Sequence, residues 1–144
     1  MEFADCLDVE DVRSLVGEQI RCNMAIAREG LTNNWGANIG SVILARQGQL
    51  LCKQAAAYAA AGSDARMSGC EMPVIILSGS GNQGITASVP VAVYAEALGA
   101  SDEQLLRAVT LSDLVTIHQK TGIGRLSAYC GAISAGCGAG AGIA

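Results

Sequence analysis

Aromatic residues are scarce in this chain. Five of 144 residues are Phe, Trp or Tyr, although half of the chain is hydrophobic. A core must therefore be built from Ala, Ile, Leu and Val, and 18 glycines imply elements packed at close range. Basic charge is also short, with nine Lys and Arg against thirteen Asp and Glu and a net charge of −4 spread along the chain. With no basic patch and no interleaved aromatics, nucleic acid is excluded as an expected partner. The N-terminus lacks a charged stretch followed by an apolar run, so no signal peptide is read there. The uncharged last stretch, residues 126–144, is too rich in Gly, Ala and Ser to cross a membrane, and no membrane partner is expected. Strand-like alternation is scarce as well, with Val74 to Leu77 readable as a short strand or as a buried helical or extended lead into the next loop, and an all-α fold is expected.

What is present fits one domain, residues 1–144, large enough for a real core. Six cysteines can make three disulfides, but the chain is longer and more helical in pattern than small disulfide scaffolds. Reduced thiols in a cytoplasmic protein are expected instead, with one or more as metal ligands. Asp8 caps a helix whose residues Val9, Val12, Val16, Ile20, Asn23 and Ala27 recur at helical spacing. That helix is expected to stop at Gly30. Further helices are expected over 37–46, with Ile39, Ile43 and Leu44 inward, and over 50–61, ending at Gly62. Others follow over 86–98 and 102–119. The last carries a Ser101 cap and an apolar face of Leu111, Leu114, Val115 and His118. A buried helix over 126–144 completes a compact bundle of about five to six helices around a central glycine-rich loop. The chain ends without a helix cap, which reads as a cut chain or as one completed from elsewhere.

The loop itself is Leu77-Ser78-Gly79-Ser80-Gly81-Asn82-Gln83-Gly84-Ile85. Three glycines in six residues imply positive φ or close approach of a ligand. Free N–H groups running into a helix start form a ready anion site. The loop is not a P-loop, because no Lys-Ser/Thr follows its last glycine. Gly79, Gly81 and Gly84 fit G-x-G-x-x-G, but no strand-helix-strand unit surrounds them. The plain alternative is a tight turn between helices.

Cys130 and Cys137 lie seven apart and can project from one helix face, but an iron–sulfur cluster needs three or four cysteines. Two buried small hydrophobes are the other reading. His118 is either a core histidine or a catalytic base. Lys120 and Arg125 bracket Thr121-Gly122-Ile123-Gly124 and can bind a carboxylate or simply favour a helix C-terminus. Asn33, Asn34 and Asn38 flank Trp35 and Gly36, as capping amides or as groups that orient a polar substrate. Cys6, Cys22, Cys52 and Cys70 have no ligand spacing and read as structural.

Four segments together carry a resemblance: Asn23-Met24-Ala25-Ile26-Ala27, Asn33-Asn34-Trp35-Gly36-Ala37-Asn38, Ser78 through Ile85, and His118 through Gly131. The chain resembles the serine dehydratase alpha-chain-like family, in its L-cysteine desulfidase branch, over nearly its whole length. The resemblance implies an all-helical domain and an oxygen-sensitive [4Fe–4S] cluster held by three cysteines. The open iron then serves as Lewis acid while a base removes the α-proton. Loss of a β-thiol or β-hydroxyl yields pyruvate and ammonia from L-cysteine or L-serine. By the same resemblance the loop residues Ser78, Ser80, Gly81, Asn82, Gln83 and Gly84 bind a small amino-acid substrate and Cys130 is the first cluster ligand; Thr121 is assigned to substrate binding beside them, and His118 and Lys120 to catalysis. The family's other two ligands lie downstream in a Cys-Asp-Gly-type segment that is absent here, and its Gly-Cys-Thr-Glu-Pro pattern is absent too. The chain therefore resembles an internal fragment or truncated relative. It is expected to hold no cluster and to be inactive alone, with a homo-oligomer as the possible assembly. The competing reading is a non-catalytic helical binding or assembly module that has lost the cluster. A nucleotide-binding domain is a third reading, and it lacks both the Lys and the acidic partner.

Overall fold

The computed structural model describes residues 2–124 and 129–144. Seven helices are found among them: α1 (Glu2–Cys6), α2 (Val9–Thr32), α3 (Ile39–Gln47), α4 (Leu51–Met67), α5 (Gly81–Leu98), α6 (Asp102–Ile123) and α7 (Gly131–Ile143). The all-α expectation holds, and there are more helices than the five to six expected because Glu2–Cys6 adds a short one. Arg107 ties α1 down by donating to the carbonyls of Ala4, Asp5 and Leu7.

The expected caps form at both long helices. Asp8 accepts from the Glu10 N–H at the start of α2. Ser101 and Gln104 form a reciprocal capping box at α6, satisfying two N–H groups that the helix itself leaves free. The glycines expected to stop α2 and α4 do not stop them. Gly30 and Gly62 lie inside their helices and are buried. A Cβ on Gly30 would collide with the Ala61 carbonyl, and one on Gly62 would press on Ala27 and Ile85. These glycines let α2, α4 and α5 approach backbone to backbone. The principal core lies there, formed by Met24, Ile26, Ala27, Ala55, Ala65, Ile85, Val89, Ala92 and Val93. Ile39, expected inward, is exposed.

The buried face of α6 also differs from expectation. Leu106, Val109, Thr110, Ser112 and Thr116 are buried, whereas Leu114 and His118 are exposed. The reason is α7. Its Gly138 sits on the Thr116 hydroxyl and the Ser112 carbonyl, and its Gly142 on the Ala108 carbonyl. Small hydroxyls therefore suit the seam better than leucines. They are satisfied locally: Ser112 donates to the Ala87 carbonyl at 2.7 Å and Thr116 to the Ser112 carbonyl at 2.8 Å. α7 is not wholly buried, since Ile133, Gly136, Cys137 and Gly140 face outward.

Candidate functional site

Residues 74–77 lead into the glycine loop without regular structure, held by a side chain from α2. Asn23, fully buried, accepts from the Ile75 N–H at 3.0 Å and donates to the Ile75 carbonyl at 3.2 Å. The same amide reaches the Ser88 hydroxyl of α5 at 3.1 Å. Leu77 and Ser80 then pair through both backbone bonds, 3.1 and 3.2 Å, closing a two-residue turn. Both central residues are left-handed, Ser78 at φ 50° and Gly79 at φ 89°. This is the requirement of a primed hairpin turn, in which Gly is at ease and Ser is strained.

α5 begins at Gly81, five residues before the expected start. The second half of the loop is thus the first turn of a helix. Gly81 lies under the Arg66 guanidinium, and Gly84 lies against the Ile75 carbonyl, where a Cβ would not fit. Asn82 accepts from Arg66 at 3.1 Å. The Gln83 carboxamide rests on Gly131, at the start of α7, with its Oε1 buried and unpartnered. Ser80 precedes the helix without a side-chain cap bond.

Across from Ser78 and Gly79 stands the last turn of α6. Ile117, Lys120, Thr121 and Gly124 complete a cleft of about 560 Å³. Thr121 donates back to the Ile117 carbonyl at 2.9 Å, leaving its lone pairs for a ligand. Lys120 is partly buried and has no ion pair among the described residues. An ammonium without a carboxylate partner, facing hydroxyls and glycine backbone, suits a small carboxylate. Of the residues expected to form the site, Ser78, Lys120 and Thr121 meet at this cleft. Gly81, Gln83 and Gly84 are buried beside it and support its wall, and Ser80 and Asn82 flank the α5 start. His118 is exposed and does not line the cleft.

Cys130 precedes α7, exposed, with no cap bond from its side chain. Cys137 is exposed as well, so neither is the buried hydrophobe that one reading expected. Among the described residues no three His, Cys, Asp or Glu side chains gather where a metal could sit. A [4Fe–4S] cluster takes three or four cysteines, and the described residues bring no such set together around Cys130. Arg125 lies outside the described residues. The Asn-rich turn is structural: Asn33 and the Trp35 indole both donate to Glu29, and Asp64 accepts from the Ile39 N–H. Two contributors escaped sequence reasoning, Asn23 and Arg66. Asn23 was legible as a polar residue on an apolar helix face and as part of the Asn23–Ala27 segment of the resemblance, but with no role at the loop.

The family model for the serine dehydratase alpha chain matches residues 2–144. The chain belongs to the serine dehydratase alpha chain family. Similar curated relatives are the UPF0597 proteins of Desulfitobacterium hafniense, 60% identical over the whole chain, and Lachnoclostridium phytofermentans, 54% identical over 99% of it. One from Fusobacterium nucleatum is 49% identical over 95% of the chain. The chain spans about a third of the length of these relatives, 34%, 34% and 33%. No solved structure matches it. No helix among the described residues is long and apolar enough to cross a membrane.

Proposed function

We propose that this chain forms the substrate-cleft part of an iron–sulfur-dependent lyase acting on L-cysteine or L-serine. The reaction is α,β-elimination: the α-proton and the β-thiol or β-hydroxyl leave, and the resulting aminoacrylate tautomerises and hydrolyses to pyruvate and ammonia. The observation that carries the reading is the cleft, lined by a strained Ser78 and by Lys120, which has no ion pair among the described residues. Lys120 would hold the substrate carboxylate and so stabilise the negative charge that grows at the neighbouring α-carbon as its proton departs. Ser78 and Thr121 would orient the same group, fixing the α-proton toward its base. Cys130 would contribute one thiolate to the cluster of a longer protein.

L-Serine titrated into the isotope-labelled chain should shift the amide signals of Ser78, Gly79, Lys120 and Thr121 saturably. Lys120→Met should weaken that binding about tenfold or more, the scale of a charge-assisted hydrogen bond. Absence of any shift at these four residues would sink the reading. The alternative, a non-catalytic assembly module, is favoured by the single thiolate at Cys130. It gains ground if the chain ignores L-serine and L-cysteine but binds another protein through α6 and α7, where Leu114, Ile117 and Ile133 are exposed.

A further inference from the structure

Asn23 lies far from the cleft in sequence and does not line it, yet its amide is spent wholly on the wall. A strand neighbour would satisfy Ile75 by exchanging both backbone bonds with it. No strand lies beside Ile75 among the described residues, and the Asn23 side chain makes both bonds instead. A bonded Ile75 fixes the direction in which the chain enters the Leu77–Ser80 turn. The turn needs that direction fixed, because left-handed Ser78 costs roughly 1 kcal/mol or more and persists only when its surroundings over-determine it. The third Asn23 bond, to Ser88, anchors the clamp to α5, whose own first turn is the other end of the loop. Ser88 in turn donates to the Gly84 carbonyl at 2.8 Å, and Gly84 lies on the Ile75 carbonyl. The circuit Asn23, Ile75, Gly84, Ser88 therefore closes on itself around the base of the loop.

We infer that Asn23 is the positioning residue of the cleft, holding Ser78 in its left-handed conformation opposite Lys120. The inference rests on the substrate-cleft reading for its binding consequence, but not for its structural one. An apolar residue of similar size would fill the space and leave Ile75 with two partly buried backbone groups that have lost their partner.

The test compares Asn23→Asp and Asn23→Ser with Ser112→Ala, which removes a buried hydrogen bond of similar worth at the α5–α6 seam, away from the loop. Asp keeps the acceptor for the Ile75 N–H and loses the donor. Ser leaves room for a bridging water. Two quantities are read on folded protein: hydrogen exchange at the Leu77 and Ser80 amides, and L-serine affinity. Both Asn23 variants should speed exchange at Leu77 and Ser80 at least tenfold beyond the change at core amides of α6. They should weaken L-serine about tenfold. Ser112→Ala should lower overall stability with affinity within about twofold of wild type. Unchanged exchange at Leu77 and Ser80 in either folded variant overturns the inference whatever L-serine does. If exchange rises but wild type itself does not bind L-serine, the clamp stands and the substrate reading fails. If wild type binds L-serine and a folded Asn23 variant binds it equally well, the positioning role is overturned.

Discussion

Asp113 is a carboxyl group held between α2 and α6 with no ion pair among the described residues. Gln19, itself buried, donates to it at 3.0 Å, and burial nonetheless raises its pKa from 3.8 to about 6. The folded state therefore binds this proton more tightly than the unfolded chain does. Stability from this group rises as pH falls through 6, is fully present below 3.8, and is lost as pH climbs above 6. A shift of about two units corresponds to roughly 3 kcal/mol at most. Asp113→Asn keeps an acceptor for Gln19 and removes the charge. Chemical denaturation should find it more stable than wild type by about 1–3 kcal/mol at pH 8, with the gap closing toward pH 4. A constant gap across that range would contradict the burial argument. Ser78 offers a second test at this scale. Asn tolerates the left-handed region better than Ser, so Ser78→Asn should raise the melting temperature while weakening L-serine binding. A variant improved in both respects would show that the hydroxyl has no part in the cleft.

At the scale of elements, the sequence was most legible where a helix announces its own ends. Asp8 and Ser101 cap as their side-chain chemistry requires, and the 3.6-residue pattern of α2 is plain. Glycine was the source of error, because the same residue that terminates a helix also permits two helices to touch. Gly30 and Gly62 do the second, and only the position of a neighbouring helix distinguishes the two uses. The face of α6 was misread for the same reason. Leucine count suggested one face, but a glycine-rich partner selects hydroxyls and small side chains. The glycine loop was found from its residues, and Lys120 and Thr121 from their motif, yet the cleft between them is made by chain separation of some forty residues that no local pattern reports. A paired substitution tests the two uses of glycine. Gly30→Ala should cost about 1–3 kcal/mol by overpacking against Ala61. Gly17→Ala, in the same helix with open space around it, should instead stabilise by about 0.5–1 kcal/mol. Equal effects in thermal melts would refute the distinction.

For the whole molecule, the proposed reading assigns this chain one cluster ligand, Cys130. Anaerobic reconstitution of this chain with iron and sulfide should leave substoichiometric iron and no pyruvate release from L-cysteine. A full cluster with turnover would prove that other cysteines converge on Cys130. The helix that Cys130 opens has a further consequence. Five of the thirteen residues of α7 are glycine. Relative to alanine each interior glycine costs about 1 kcal/mol in helical form, so α7 has no tendency to coil on its own. Its order is borrowed from α5 and α6, against which Gly131, Ser134, Ala135, Gly138 and Ala139 are buried. In time rather than space, α7 should then be a late arrival: it should wind only onto a completed α5–α6 pair and open before that pair does. Amide exchange in α7 should run through a partial opening that leaves α2 and α4 protected. The thiol at its head is thereby presented at full register only by molecules that have already finished folding.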